Sequence, residues 1–440
     1  MEVDEAPVAW HLSAAFQSAG GSELRCIAAL DSTTIVVGSS DNKATVWQTT
    51  AALPSEWSIV ASVANGAAMV SRGRPNTVNA VLAFDGGVLP DGLAPTGGFV
   101  TGCLDGLVRV FSRDGALLLT GIGHTSGVKS LTWAGALLVS GDQVGTANVW
   151  NVADMSVVQT LDDAKDENAL AVVALPSGGL VTGSSGTSRN PDPSVGGGVA
   201  LLNVRTRVYA RVDDAAAAAA PFALAATLDD HTQRVCAIAP CAIGFLTGSY
   251  DGSIALRTPD GNVAQATPFS GWVTCMDVRD DLDLAVAGVG DPIANAHVLD
   301  PNRGFAQTAA LPHPSMLWGV AILASGDIVT ACHDGFARVW SRDPTHVADP
   351  SMVAILESDN ARVRKPKAID TSSVPPFSAR ASVRTDQGPK MMVADDGKTM
   401  VYQFNPTDGE WACIGEAVGE APESDTIQAA SGVASPDETK

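Results

Sequence analysis

One segment of the sequence has the residue types of a nucleotide-binding loop. It reads GIGHTSGVKS over residues 121–130. A phosphate-binding loop needs Gly, Lys and Ser or Thr in direct succession, because its backbone N–H groups and its lysine must converge on one phosphate. Here Val128 separates Gly127 from Lys129. The segment therefore predicts no nucleotide site, and its Gly-His pair is interpreted as part of a structural repeat.

The residues that bind metals or act as nucleophiles are present but not grouped. The seven histidines contain no i, i+4 pair, and Cys236 and Cys241 lack the second cysteine pair of a zinc site. Cys332 and His333 are adjacent, so on a strand they would point to opposite faces. No Gly-x-Ser-x-Gly motif occurs either. The sequence predicts that the protein is not an enzyme and that it holds no metal and no cofactor.

The elements that would position functional residues come from a repeated turn. Asp suits a tight reversal because it hydrogen-bonds nearby backbone, and Gly suits it because it accepts positive φ. The alternating residues that follow the turn predict a half-buried strand. Four copies are alike, each with an Asp six residues before its last position: GSSDNKATVW (38–47), GCLDGLVRVF (102–111), GSYDGSIALR (248–257) and ACHDGFARVW (331–340).

Three weaker copies set the number of units. One lies at 140–150, one begins at 182–185 and resumes as a strand at 198–204 after an insertion, and one spans 287–300. A further short strand precedes every copy, and the spacing fits the roughly 40–45-residue period of WD40 repeats with loop insertions. Seven such units predict an all-β fold, a seven-bladed WD40 β-propeller.

The sequence also divides by composition. A lone strand at 10–16 precedes the first repeat and the last repeat lacks a closing strand, so we expect these residues to complete the last blade. Beyond the repeats, a stretch rich in charge, Pro and Ser predicts a linker, and two Asp-Gly pairs predict a small β-meander. The predicted boundaries are an N-terminal tail at 1–9, the propeller at 10–343, a flexible linker at 344–387, a small incomplete β segment at 388–420 and a disordered acidic tail at 421–440.

The charge balance bears on partners and location. Lys and Arg number 27 and Asp and Glu number 48, which gives a net charge of −21. Such a surface does not attract nucleic acid or an anionic membrane. The sequence has no signal-like N-terminus and no apolar run near the ~18–20 residues of a membrane span. Its seven scattered cysteines suit reduced thiols. We expect a cytoplasmic and nuclear protein that binds neither nucleic acid nor membrane.

The narrow end of the propeller channel is the predicted protein-binding surface. Trp272 and Trp318 are its most informative residues, since tryptophan is enriched in interface hot spots. The alternative is that they fill the core between blades, where we expect Trp47, Trp150 and Trp340. An acidic field around the two anchors is expected from the net charge. By register this end collects the residues that enter the inner strands, namely Arg25, Asn79, Lys129, Arg234, Trp272 and Trp318.

The C-terminal segment resembles the opening of a PFU domain, a ubiquitin-binding module. That opening runs Tyr-Gln-Trp, a short turn, Trp, then Ile-Gly-Asp/Glu-x-Val-Gly. This sequence has YQF at 402–404, GEW at 409–411, IGE at 414–416 and VG at 418–419. The residues that carry the resemblance, and that it assigns to the PFU-like site, are Tyr402, Phe404, Trp411, Ile414 and Gly415.

Seven WD40 repeats, a linker and a PFU-like start together resemble the phospholipase A-2-activating protein family. The last repeat, LPHPSMLWGVAILASGDIVTACHDGFARVW, is similar to the last blade of that family. The resemblance implies a non-enzymatic ubiquitin-binding adaptor and a cofactor of the valosin-containing AAA ATPase. It also implies a role in ubiquitin homeostasis and in proteasome-mediated, ubiquitin-dependent protein catabolism. The expected partners are ubiquitin or ubiquitinated proteins.

Two departures from the family pattern leave alternatives open. The sequence ends soon after Gly419, so most of a PFU domain is missing, and the PUL domain that contacts the ATPase in this family is absent. We therefore expect a truncated or divergent member, with direct ATPase binding left open. One alternative is a generic WD40 scaffold for a different partner, with a vestigial PFU-like segment. A propeller hydrolase or lyase would need clustered polar residues at the channel, and the register supplies too few.

Overall fold

The structure is a computed structural model in which two compact units separate, Met1–Arg364 and Lys365–Lys440. The predicted tails, the linker from residue 365 onward and the insertion at 186–203 lie outside the described residues. The described residues are 9–50, 53–66, 75–90, 92–164, 167, 171–185, 204–212, 220–290, 294–364, 390–393, 399–405 and 410–416.

The first unit is built from short antiparallel strands. In sequence order, the N-terminal strand and the first three blades are β1 (His11–Gln17); β2 (Leu24–Ala29), β3 (Thr34–Ser39), β4 (Lys43–Thr50) and β5 (Leu53–Ala64); β6 (Val78–Phe84), β7 (Gly98–Cys103), β8 (Leu107–Ser112) and β9 (Leu117–Ile122); and β10 (Val128–Ala134), β11 (Leu137–Asp142), β12 (Ala147–Asn151) and β13 (Ser156–Leu161).

The remaining blades continue in the same order. They are β14 (Ala171–Ala174), β15 (Leu180–Gly183), β16 (Thr206–Arg211) and β17 (Phe222–Leu228); β18 (Val235–Cys241), β19 (Gly244–Ser249), β20 (Ser253–Arg257) and β21 (Val263–Pro268); β22 (Trp272–Arg279), β23 (Leu284–Gly290), β24 (Asn295–Asp300) and β25 (Ala306–Pro312); and β26 (Leu317–Ile322), β27 (Ile328–Cys332) and β28 (Phe336–Ser341). Short 3-10 helices lie at Ala19–Gly21, Asp280–Leu282 and Pro301–Arg303.

The strands form seven four-stranded sheets, which are the seven blades. Within blades 1–6 they pair in sequence order from the inner to the outer strand, and the inner strand β2 neighbours both β6 and β26. The ring is therefore closed, and the predicted seven-bladed WD40 propeller is confirmed.

The last blade takes its outer strand from the N-terminus. β1 pairs antiparallel with β28, from His11 opposite Ser341 to Gln17 opposite Phe336. This pairing joins the two ends of the propeller within one sheet. It also leaves β28 without an open edge to which a foreign strand could add.

The core lies between the blades. The second strand of each blade is buried almost throughout, as in TIVVGS of β3 and GFLTGS of β19, which is the pattern of a strand covered on both faces. Trp47, Trp150 and Trp340 are 8%, 0% and 5% exposed. The prediction that these three tryptophans fill the core is confirmed.

Glycines in the repeated turn allow neighbouring blades to approach closely. A Cβ atom on Gly102 would lie 2.5 Å from Cγ1 of Val128, and one on Gly248 would lie 2.4 Å from Cγ1 of Val273. In each pair the valine lies at the start of the inner strand of the next blade. The Gly before the turn Asp is thus needed for packing between blades, a requirement that the turn geometry alone does not impose.

The Gly-His segment of the sequence has a structural role. The buried His124 places Nε2 2.6 Å from Ser140 Oγ and Nδ1 3.3 Å from Asp142 Oδ2. Trp150 donates its Nε1–H to the same Ser140 oxygen at 2.7 Å. These bonds fasten the loop before β10 to the second and third strands of its own blade.

A helix replaces the start of the predicted linker. α1 (Pro350–Arg364) follows the propeller, and its buried Leu356 packs into the core cluster that contains Leu12 of β1. Met352 Sδ accepts a bond from Ala15 N at 3.0 Å. The prediction of a flexible linker from residue 344 is corrected to this extent, because apolar side chains of the segment bury themselves against β1.

Blade 4 also differs from the sequence prediction. The strand that pairs with β15 is β16, with Thr182 opposite Arg207, and not the run at 198–204. The TRVYAR run carries buried Val208 and Tyr209 and so supplies the strand. The long insertion obscures this choice in the sequence, and residues 198–203 lie outside the described residues.

The second unit contains a three-stranded antiparallel sheet. Its strands are β29 (Lys390–Val393), β30 (Thr399–Asn405) and β31 (Glu410–Glu416), which pair in sequence order. This arrangement is the small meander predicted for the segment.

Candidate binding site at the channel mouth

The inner strands of the blades begin at one end of the ring, which we call the mouth. Near the start of the inner strand in blades 1, 2, 3, 5, 6 and 7, the register with the second strand shifts by one residue. Such a β-bulge leaves one residue outside the ladder and re-aims its side chain. The six bulge residues are Arg25, Asn79, Lys129, Cys236, Thr274 and Trp318.

The structure divides the six predicted mouth residues into two classes. Arg25, Asn79, Lys129 and Trp318 are bulge residues. Arg234 and Trp272 lie two residues before the bulges of their own blades, at the outer end of the inner strand. In blades 5 and 6 the residue selected from the sequence lies two positions before the bulge, because a bulge leaves no mark in the apolar pattern of the sequence. All six residues belong to the same end of the ring.

Trp318 belongs to a polar group shared by blades 7 and 1. The Arg25 guanidinium lies 5.1 Å from the Trp318 ring centroid, and Trp318 donates its Nε1–H to His333 Nδ1 at 3.2 Å. His333 Nε2 faces Glu23 Oε1 at 3.3 Å, and Glu23 also pairs with Arg25. Because Nδ1 accepts, the proton of the neutral imidazole sits on Nε2. Trp318 is half-buried and held on both sides.

Trp272 belongs to a second group, between blades 5 and 6. Its ring stacks on Tyr250 with centroids 4.9 Å apart and planes at 4°, and the Arg234 guanidinium lies 5.5 Å from the Tyr250 centroid. Burial, with smaller contributions from neighbouring thiols, raises the pKa of Tyr250 to about 12, against the opposing effect of Arg234 and Arg25. The phenol therefore stays neutral at physiological pH and can donate a hydrogen bond.

Met316 connects the two groups. It precedes β26, and its Cγ lies against Gly290, since a Cβ on that glycine would be 3.0 Å away. Because the inner strands of blades 5, 6 and 7 are neighbours, Tyr250, Trp272, Met316 and Trp318 follow one another around half of the mouth. We call these four residues the aromatic arc. All four are half-buried and so retain accessible surface.

The other side of the mouth is polar. Lys129 Nζ donates to Asn79 Oδ1 at 3.4 Å, and Asn79 Nδ2 donates to the Val128 carbonyl at 2.9 Å. At the described inner-strand entries the charged residues are Glu23, Arg25, Lys129 and Arg234. The turn aspartates, such as Asp251 and Asp334, directly follow the mouth residues Tyr250 and His333. The acidic field expected around the two tryptophans stays a prediction.

Tyr250 and His333 were not predicted as mouth residues, although a signal was present. Each stands directly before the turn Asp of its repeat, in GSYDG and ACHDG. In both blades the backbone N–H of this residue donates to a carbonyl just before the inner strand, Tyr250 to Arg234 and His333 to Met316. The position before the turn Asp is therefore a mouth position.

The PFU-like residues fall on the last two strands of the second unit. Phe404 of β30 is opposite Trp411 of β31, and Tyr402 is opposite Cys413. Ile414 lies beside the register shift near the end of β31, and Gly415 is opposite Val401. The described residues of the YQF, GEW and IGE parts thus share one β-hairpin, and the VG pair at 418–419 lies outside the described residues.

Comparison with known proteins identifies relatives. A segment of 121 residues is 30% identical to phospholipase A-2-activating protein from Xenopus laevis and covers 26% of this chain. Ubiquitin homeostasis protein lub1 from Schizosaccharomyces pombe is 31% identical over 193 residues, 43% of this chain. The matches span only 15% and 26% of the two relatives' own lengths. No protein-family model matches the sequence.

A solved structure shows the same fold. The crystal structure of the WD40 beta propeller domain of Doa1 superposes with a TM-score of 0.59 and 17% identity. The match covers 78% of this chain and 100% of that domain. At this identity the likeness shows the fold alone. The two sequence matches confirm the resemblance to the phospholipase A-2-activating protein family.

Two searches of the described residues bear on other kinds of site. No group of three or more His, Cys, Asp or Glu side chains in the described part of the molecule is arranged to hold a metal ion. Within the same residues, no helix has the length and apolar character needed to cross a membrane.

Proposed function

We propose that this protein is a non-enzymatic adaptor that binds ubiquitin through the propeller mouth and serves ubiquitin homeostasis and ubiquitin-dependent protein catabolism. The observation that carries the proposal is the aromatic arc, a set of half-buried large side chains on one half of the mouth. Aromatic and methionine side chains are enriched at protein interfaces. The two relatives supply the process, since one of them is a ubiquitin homeostasis protein.

The arc has the properties of an interface anchor. Trp318 and Trp272 are each held by a cation or by ring stacking, so little side-chain freedom remains to be lost when a partner binds. Ubiquitin offers an apolar patch that would cover such rings. The cations beside them, Arg25 and Arg234, would pair with carboxylates of the partner.

The test is a titration of labelled ubiquitin with the full-length protein. An interface that buries a standard area or less on one face of the propeller, with one or two tryptophan anchors, should have a Kd for ubiquitin that is roughly micromolar to sub-millimolar. Trp318→Ala should weaken ubiquitin binding without unfolding the propeller. Trp411→Ala measures how much the PFU-like hairpin contributes to the ubiquitin affinity. No binding at millimolar protein, with the fold intact by circular dichroism, would reject ubiquitin and favour a scaffold for another partner.

Two further statements stay predictions. A cytoplasmic and nuclear location follows from the composition. Contact with the valosin-containing AAA ATPase is expected only from the family resemblance, and co-purification with the ATPase would test it.

A further inference from the structure

Arg234 is a cation whose guanidinium forms no ion pair that would stabilise the described part of the propeller. The other arginines of the described residues that are buried or half-buried form ion pairs, as Arg109 does with Asp105 at 2.6 Å and Arg338 does with Asp334 at 2.6 Å. The Arg234 guanidinium makes no hydrogen bond and no ion pair with any described residue, and its Nε is buried without an acceptor. An arginine costs free energy when it is partly desolvated without a counter-charge.

The position of this guanidinium is fixed by stacking. It lies over Tyr250, which in turn stacks on Trp272, so three planar groups form one column at the mouth. Because Nε is buried, an incoming carboxylate would meet the two terminal Nη groups of the guanidinium. These two groups form a planar fork that matches a carboxylate in bidentate geometry.

A neutral donor and a second cation accompany Arg234. The Tyr250 hydroxyl makes no hydrogen bond with any other described residue, and it stays protonated because burial raises its pKa to about 12. The Arg25 guanidinium acts on the same hydroxyl through its field. Arg25 also forms an ion pair with Glu23, so part of its charge is already compensated.

We propose that Arg234, with the Tyr250 hydroxyl, forms a carboxylate-binding subsite at the mouth, beside the apolar surface of Trp272. The ligand class is a carboxylate of a bound protein or peptide that reaches the mouth from outside. The ligand group is one carboxylate, which can come from the C-terminus of the partner or from one of its Glu residues. The inference deepens the proposed function and rests on it only in taking the mouth as the binding face.

The experiment uses three fluorescently labelled peptides and the full-length protein. One peptide, of sequence Gly-Ser-Gly-Ser-Gly-Leu, has a free C-terminal carboxylate, the second is its C-terminal amide, and the third is an amide with Glu in place of Leu. Hydrogen bonds to charged groups are worth enough that the free acid should bind roughly ten- to a hundredfold tighter than its amide. The third peptide decides whether the carboxylate of a Glu residue is accepted as well as a terminal one.

Variants locate the subsite. Arg234→Gln should remove the preference for the acid, and Tyr250→Phe should reduce it. Arg234→Lys keeps the charge without the planar fork and should retain only part of the preference. The matched control is Arg342→Gln. The Arg342 guanidinium lies 5.1 Å from the Trp10 ring centroid. The residue follows Ser341, the last residue of β28, at the end of that strand away from the mouth.

Two results would overturn the proposal. One is equal binding of acid and amide peptides by the wild-type protein. The other is an acid preference that Arg234→Gln leaves unchanged or that Arg342→Gln removes equally. If Arg234→Gln does not fold, the peptide pair and Arg234→Lys still decide. Because the peptides contain no ubiquitin, a failed ubiquitin titration beside a clear acid preference rejects the proposed partner and leaves the subsite standing.

Discussion

Truncating Leu356 to Ala tests whether α1 holds the closing strand of the propeller. The Leu356 side chain is 6% exposed and belongs to the cluster that contains Leu12 of β1 and Trp340 of β28. Replacing a buried Leu by Ala costs about 2–5 kcal/mol. We expect the lower end, about 2–3 kcal/mol, because a helix on the outside of a blade can settle into the space.

The loss should appear as local opening before it appears as global unfolding. α1 and the residues just before it touch β1 through the bond from Ala15 N to Met352 Sδ at 3.0 Å and the bond from Ala348 N to the Leu12 carbonyl at 3.0 Å. Regions with few contacts open separately from the core. Hydrogen exchange should therefore speed up in the peptide that covers β1, by roughly 30- to 100-fold.

The adjacent Ile355 is the matched control. It lies on the same helix and is 58% exposed. Ile355→Ala should change stability by no more than about 0.5 kcal/mol and leave exchange in β1 unchanged. Equal effects of the two substitutions, or exchange in β1 that neither one alters, would refute the idea that α1 fastens this strand.

Two further predictions concern the interior. Asp334 is largely buried, which by itself raises its pKa, but bonds from Arg338 outweigh this and hold that pKa below its usual range. The ionised Asp334 carboxylate therefore stabilises the folded protein at pH values above the ordinary aspartate pKa. This stabilisation is lost as the pH falls through the lower pKa of the folded state. Asp334→Asn should cost about 3–5 kcal/mol at pH 7 by urea titration and weaken the acid dependence. Asp281→Asn, at an exposed pair, should leave the urea midpoint nearly unchanged. Gly248→Ala should cost about 1–3 kcal/mol, because the new methyl would lie 2.4 Å from Val273 Cγ1, and Val273→Ala should recover part of this loss; an additive double variant would contradict the packing argument.

The blade count and the ring closure were predictable because they depend on a local signal. The Asp-Gly turn recurs along the sequence, and the strand at residues 10–16 matched the strand missing from the last blade. The insertion in blade 4 was harder, since both 198–204 and TRVYAR alternate like strands. Only the pairing of Thr182 with Arg207 distinguishes them.

The residues at the start of α1 carry a sequence signal that could have predicted the helix. Asp349-Pro350 combines a preferred N-cap residue with a proline at the first helical position, and Asp349 Oδ1 accepts from Ser351 N at 2.8 Å. Polar residues among its apolar ones made the segment resemble a linker. The packing of Leu356 on β1 is tertiary, and no sequence pattern shows it.

The candidate site was predictable in location and less so in detail. Arg25 and Trp318 were both selected as entries to inner strands, but their stacking joins blades 1 and 7, which are far apart in the sequence. Tyr250 was missed because the residue before the turn Asp has no fixed type.

The most direct test of the mouth as the ubiquitin-binding face is an NMR titration of ¹⁵N-labelled ubiquitin with three forms of the full-length protein. These are the wild type, the double variant Trp272→Ala/Trp318→Ala, and Trp10→Ala, which removes a ring paired with Arg342 at 5.1 Å near the opposite end of β28. We expect the double variant to bind ubiquitin at least about tenfold more weakly while remaining folded, since interface anchors are worth about 2 kcal/mol or more. We expect Trp10→Ala to bind like the wild type. Equal ubiquitin affinity for the wild type and a folded double variant would show that the mouth is not the ubiquitin-binding face.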